Sequence, residues 1–358
     1  MHSRNSSFYP AESRQAIDIL TSPDGVLVTG SSGFIGQRVV HRLLARGLTR
    51  ITALTRATSA GLCDERKDVR AVRGNLLSPK DCLRATEGIE VIYHLAAGRG
   101  EKSYPDAFLN SVVTTRNLLD ACLRHGTLKR IVNVSSFAVY SNRDRRRGRL
   151  LDETSEIEPR PEKRGQAYCY AKVRQDDLVA QYARDHGVPC VFVRPGVVYG
   201  PGNEAIHARV GLGTFGLFLH LGGSNTLPLT YVDNCADAIV LAGIVAGIEG
   251  EVFNVVDDDL PTSRQFLRAY KREVKPFQSV YLPHSLSYLA CCCWEDYSTW
   301  SEGQLPPVYG RSAWYSNWRR TAYSNEKLKR RLGWTQQIST SEGLRRYFAA
   351  CRGKQQRA

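Results

Sequence analysis

From Val26 onward the chain alternates short, almost wholly apolar runs with helix-length amphipathic segments. The runs fall at residues 26–28, 51–54, 69–72, 91–95, 131–134, 190–193 and 252–256. A strand apolar on both faces has to be covered on both faces, which antiparallel hairpins seldom achieve and helical crossovers do. The pattern therefore predicts a doubly wound, Rossmann-type α/β fold with a parallel sheet. Between the runs, 36–46 reads as a helix with Val39, Val40, Leu43 and Leu44 on one side and Gly47 as its stop. Ser78-Pro79 opens another, since a serine caps free amides and proline suits a first turn. Further helices end near His125 and His186, and 233–246 is an apolar helix.

After Gly200 the regularity breaks: 202–228 is glycine-rich and irregular, and from Pro261 the chain carries more Trp, Tyr and Arg in short helical stretches. This divides the chain into a polar lead-in at 1–23, an α/β domain from 24–200 with 231–257, a smaller discontinuous region from 201–230 with 258–350, and a basic tail at 351–358.

No run reaches the roughly 18 apolar residues of a membrane helix, and the first twenty residues lack the apolar centre of a signal peptide. A cytoplasmic protein without an integral membrane segment is expected. The ten cysteines form no CxxC pair or zinc-type cluster and are expected to act as small apolar side chains, so no metal is assigned. Cys291-Cys292-Cys293 reads as the buried part of a short helix, where neighbouring thiols diverge too far to share an ion. The net charge of +14 is dispersed, with concentrations at 143–149, 319–331 and after 345. Without aromatic interleaving or a helix-turn-helix pattern, this argues against nucleic-acid binding.

The segment 26–36, VLVTGSSGFIG, leaves a strand and opens a helix. Gly30 permits the sharp turn, Gly33 lets a pyrophosphate approach the backbone, and Gly36 lets helix and strand pack closely. With Ser32, Phe34 and Ile35 they form a candidate dinucleotide cradle at a helix N-terminus. NAD binders usually place an acid at the end of the second strand. Here Leu54-Thr55-Arg56 stands there, with no acid before Asp64, so Arg56 can pair a 2′-phosphate. That favours NADP over NAD.

Tyr168 and Lys172 lie one helical turn apart, about 40° out of line. An ammonium beside a phenol stabilises the phenolate, giving an acid/base that exchanges a proton with an alcohol or ketone. Tyr170 has no lysine at that spacing. Upstream, the strand at 131–134 runs into Ser135-Ser136, whose hydroxyls would face the crevice at the strand's C-terminal end.

Taken together, TGSSGFIG at 29–36, GNLLSP at 74–79, YHLAA at 93–97, VSSFAVY at 134–140, YCYAK at 168–172, RPGVVYGPG at 194–202, YVDNCADA at 231–238 and LGW at 332–334 resemble the extended short-chain dehydrogenase/reductase family, the NAD-dependent epimerase/dehydratase superfamily. The resemblance spans about 25–349. It implies an enzyme in which Tyr168 is the acid/base, Lys172 tunes it and holds the nicotinamide ribose, and Ser136 orients the substrate. It extends the cofactor surface to Asn75, Leu76, Leu95, Ala96, Ala97 and Pro195. Asn75 stands where the family often has Asp; its amide oxygen can accept the same adenine bond. His94 is assigned no catalytic role. A small-molecule substrate is implied, and two amphipathic helices per subunit are compatible with a homodimer.

Two substrate readings stay open. The segments GGSNTLPLTYVDN at 222–234, LPPVYGR at 305–311 and YSNEKLKRRLGW at 323–334 look more like the 3β-hydroxysteroid dehydrogenase and dihydroflavonol reductase-like branch, with 211–223 and 294–318 as an apolar pocket wall. Asp152-Glu153 and the arginines of 143–149 point toward nucleotide-sugar epimerases or dehydratases that oxidise transiently. A cofactor-binding regulator without catalysis is the third reading, disfavoured because Tyr168 and Lys172 are both present.

Overall fold

The computed structural model describes residues 18–56, 68–98, 103–142, 148–214, 216–301 and 310–356. Seven strands form one parallel sheet in the order Val252–Val255, Cys190–Pro195, Arg130–Val134, Val91–His94, Val26–Thr29, Ile51–Thr55, Val69–Arg73. Each apolar run read from the sequence is one of these strands. Chain order reverses beside Val26–Thr29, so a crevice opens at the carboxyl ends of Val26–Thr29 and Val91–His94.

Alternation along the strands feeds two cores. Val26 and Val28, Tyr93, Val132, Val191 and Phe253 face one layer, where they meet Val39 and Leu43 of helix Phe34–Ala45 and Ile239 of helix Val232–Ile244. Leu27, Ile92, Ile131 and Phe192 face the other, covered by helices Pro79–Thr86, Thr114–His125 and Ala167–His186. Local signals set the helix ends. Ser78 accepts from the Asp81 N–H at 3.3 Å, and Gly126 and Gly187 close their helices in the left-handed region. Leu20 already packs in the first core, and the Ile19 N–H donates to Ile244 O at 2.8 Å.

The later chain is more regular than its sequence suggests. Within 202–228, Gly211–Thr214 and Leu217–His220 pair antiparallel, and Ser279–Tyr281 adds in parallel. Two further two-stranded pairs, Val197–Tyr199 with Leu229–Tyr231 and Arg149–Leu151 with Thr321–Tyr323, tie the C-terminal region to the main domain. The helices after Pro261 include the 17-residue His284–Trp300 and the 16-residue Thr340–Gln355, longer than expected. Of the cysteine triplet only Cys291 is buried; Cys292 is half-buried and Cys293 exposed. No group of metal-binding side chains occurs, and no helix is long and apolar enough to cross a membrane, among the described residues.

Candidate active site

A cavity of about 620 Å3 occupies the crevice at the sheet's switch point. Gly30, Gly33, Phe34, Ile35, Gly36, Leu95, Ala97, Ser136, Tyr168, Lys172 and Pro195 all line it. The glycine turn and the Tyr–Lys pair, more than 130 residues apart in sequence, thus share one space. Gly30 has φ +67°, and a Cβ there would lie 3.0 Å from Ala96 N. A Cβ on Gly36 would lie 2.1 Å from Gly30 O and 2.9 Å from Ser31 Cα, so only glycine lets the helix start this close to the turn. Helix Phe34–Ala45 has neither a side-chain cap nor an acid in its first turn. Its leading N–H groups are left for an anion.

Ser32, Arg56, Asn75, Leu76 and Ala96 are outside the cavity lining. Thr29 pairs with Leu54 in register, so the exposed Arg56 follows the carboxyl end of its strand on the glycine turn's side; Ser31 Oγ donates to Leu54 O at 3.1 Å. Asn75 Oδ1 accepts from its own Leu77 N–H at 3.0 Å, and Leu76 packs into the second core. The Ala96 N–H donates to Thr29 Oγ1 at 3.1 Å.

The two serines separate by their partners. Ser135 is buried and donates to Asp176 Oδ2 at 2.8 Å, whereas the half-buried Ser136 accepts from the Ala138 N–H at 3.2 Å. Tyr168, second residue of helix Ala167–His186, is 40% exposed. Tyr170 points elsewhere, packed edge-on against Tyr104 with ring centroids 5.2 Å apart.

Lys172 is buried, its Nζ donating to Val134 O at 2.8 Å and Gln175 Oε1 at 2.9 Å. Burial pushes its pKa down to about 8, although Asp176 pulls the other way. Behind it runs a buried polar chain that the sequence reading missed. Gln175 Nε2 donates to Thr115 Oγ1 at 2.9 Å, and Thr115 in turn donates to Ser111 O at 2.5 Å. His94 Nε2, 2.8 Å from Thr115 Oγ1, is then the protonated nitrogen, and Nδ1 accepts from Thr29 Oγ1 at 2.8 Å. Burial and the nearby Lys172 push His94 down to about 3, so it stays neutral. Asp176 accepts from Asn133 at 2.8 Å and pairs with Arg194 at 3.1 Å. Burial raises its carboxyl above the usual range against the pull of Arg194. The only sequence signal for this network was polar residues inside otherwise buried elements.

Beyond the cofactor end the wall comes from Asn203, residues 205–210, Leu227, Leu229, Phe266 and Tyr347. The stretches 211–223 and 294–318 do not line it among the described residues, because the first is used in pairing strands. Glu153 accepts from the Asn254 N–H of strand Val252–Val255 at 2.8 Å, and Asp152 from the nearby Thr154 N–H at 3.0 Å; both stabilise backbone. Residues 143–147 of the arginine run are outside the described residues.

A sequence profile of the NAD dependent epimerase/dehydratase family matches residues 26–255. The chain belongs to that family. A 2-alkyl-3-oxoalkanoate reductase of Stenotrophomonas maltophilia is 26% identical over 337 residues, covering 91% of this chain and 98% of the relative. A ketoreductase of Stigmatella aurantiaca acting on a 3-oxo-4-farnesyl-dihydroquinoline oxide is 26% identical over 327 residues, covering 88% and 93%. The UDP-glucose 4-epimerase of Thermus thermophilus, solved with NAD, aligns with TM-score 0.66 at 25% identity over 92% of this chain and 99% of that one. The protein is accordingly an enzyme, an NAD(P)-dependent dehydrogenase/reductase or epimerase.

Proposed function

We propose that the enzyme interconverts a secondary alcohol and a ketone, with Tyr168 as the acid/base and Ser136 and Lys172 beside it. One observation carries this reading: Tyr168, Lys172 and Ser136 line the same cavity as the glycine turn. The cradle fits a dinucleotide, since a Cβ at Gly36 would collide with backbone and the uncapped helix start leaves amides to meet phosphate. Gly30, Gly33 and Gly36 would hold the pyrophosphate, and Leu95, Ala97 and Pro195 would border the nicotinamide end. When bound, the cofactor supplies or takes up a hydride at the nicotinamide ring.

The remaining steps belong to the protein. Two N–H groups of Lys172 are spent on Val134 O and Gln175 Oε1, and the third is left for a ribose or the Tyr168 oxygen in the cavity that both side chains line. Tyr168 delivers a proton to the ketone oxygen during reduction and removes it during oxidation, while Ser136 Oγ holds that oxygen. Residues 201–230 and 258–350 make the substrate region, with Ile206, Leu227, Leu229 and Phe266 as its apolar wall. Arg209, also in the wall and donating to Tyr323 OH at 3.2 Å, suits a substrate that carries an anionic group. This fits an alkyl 3-oxo acid, as for the Stenotrophomonas relative; a nucleotide sugar, turned over by transient oxidation, is the second reading that Arg209 supports.

Absorbance of the reduced nicotinamide, followed with 3-oxo acids, hydroxysteroids and nucleotide sugars, tests the substrate class. Net consumption with an oxo acid supports the first reading; a changed sugar without net consumption supports the second. For the cofactor, NADP preference through Arg56 predicts that Arg56→Ala raises KM for NADP about tenfold, the loss of one charge-assisted contact. Higher kcat/KM with NAD in the wild type, together with unchanged NADP use by the variant, would refute it.

A further inference from the structure

Helix His284–Trp300 is amphipathic in the unexpected sense. Its inward side carries Ser287, Cys291 and Ser298, whereas Leu286, Leu289, Cys293, Tyr297 and Trp300 face solvent. These five fall within an arc of about 80° at 100° per residue. Leu289 is 58% and Trp300 76% exposed, although a helix that only covered a core would turn such side chains inward. The inward side is satisfied without them. Ser287 Oγ accepts from Trp314 Nε1 at 2.9 Å, and Cys291 packs with Leu221 and Trp318.

The surface beside the helix start is basic. Helix Ser263–Glu273 exposes Arg264, Arg268 and Arg272 at i, i+4 spacing along one side, Arg272 being paired with Glu273 at 2.8 Å, and the exposed Lys275 follows the helix. The helix abuts strand Ser279–Tyr281, for Lys271 Nζ donates to Ser279 Oγ at 2.7 Å and the Arg264 guanidinium lies 5.2 Å from the Tyr281 ring centre. Tyr281 is exposed on that strand, with Val280 exposed on the opposite face, and the strand leads through Leu282 and Pro283 into the apolar stripe. The acids on the stripe's own helix, Glu295 and Asp296, are taken up by Arg311 at 3.1 and 2.8 Å.

We propose that this surface, an aromatic and aliphatic stripe with cations beside its start, seats the enzyme on an anionic lipid surface. Tyr and Trp suit the boundary between headgroups and acyl chains, where one end of the ring is dry and the other wet. With 17 residues the helix lies along the boundary and does not span it. Charge selects the occupant. A second copy would bring the same positive surface to the contact, whereas acidic headgroups neutralise it. The proposal is independent of the substrate and mechanism proposed above.

The test is co-sedimentation of the full chain with vesicles of phosphatidylcholine alone or with phosphatidylserine added. Binding is expected only with phosphatidylserine and should weaken as salt rises. Arg268→Gln with Lys275→Gln should lower partitioning roughly thirtyfold, two cations' share. Leu289→Glu with Trp300→Glu should lower it at least about tenfold, with Tm unchanged. Should that last variant misfold, quenching of wild-type Trp fluorescence by brominated acyl chains gives the same information. Absence of binding or quenching with the anionic vesicles at low salt overturns the proposal. So does equal binding by the Leu289/Trp300 variant, or a concentration-dependent dimer that this variant abolishes without any vesicle binding by the wild type.

Discussion

Tyr168→Phe should lower kcat by roughly 10²–10⁴-fold, the usual worth of a positioned acid/base, while cofactor binding and Tm stay as in the wild type. The substitution removes one oxygen from a side chain already 40% exposed, so the fold loses little. The pH profile carries the same chemistry. Burial holds Lys172 near 8, so its charge fades as pH rises through that value, and with it the electrostatic help to the phenolate. Ketone reduction should therefore decline above about pH 8, and Lys172→Met should flatten that limb at a much lower rate. The stability effect has the opposite sense. A folded value of about 8 against an ordinary 10.5 means that the unfolded chain holds this proton more tightly. The residue's contribution to stability thus rises with pH between those values. Retained turnover in Tyr168→Phe would assign the proton to another group.

Gly36→Ala should abolish dinucleotide binding and lower Tm. Its Cβ would sit 2.1 Å from Gly30 O and 2.9 Å from Ser31 Cα, both backbone, so no side-chain rotation relieves it. Opening the turn moves the helix start off the strand, at a cost on the overpacking scale of about 1–3 kcal/mol or more. Gly33→Ala is the informative contrast: its Cβ meets only Gly30 O, at 3.1 Å, so the fold should hold while pyrophosphate approach suffers. Calorimetry and cofactor titration of the two variants separate the packing role from the binding role. Equal stability and equal affinity in Gly36→Ala would contradict the close approach.

Why the strands were legible and the cavity wall was not has a physical basis. A buried parallel strand leaves a compact, local trace, and runs such as 131–134 and 190–193 appear in the sheet within a residue or two of where the sequence put them. The glycine turn and the Tyr–Lys pair are also local, each set by spacing within one element. Substrate-wall residues such as Arg209 and Phe266 meet the cavity only through tertiary packing, with no periodicity to announce them. For the same reason 211–223, whose glycines suggested a loop, proved to hold paired strands. Gln175 and Thr115 look like ordinary helix polar residues until folding joins them to Lys172 and His94. His94 shows the converse: a lone histidine in an apolar run, it has both ring nitrogens bonded inside the domain.

The most direct measurement is the fate of the hydride. Reduced nicotinamide cofactor deuterated on the transferable face at C4, incubated with wild-type enzyme and a 3-oxo acid, should deliver deuterium to the new carbinol carbon in stoichiometric amount, and the Tyr168→Phe enzyme should not. Deuterium that stays on the cofactor with every ketone offered, or equal transfer by the Tyr168→Phe enzyme, would contradict hydride transfer with Tyr168 as its proton partner.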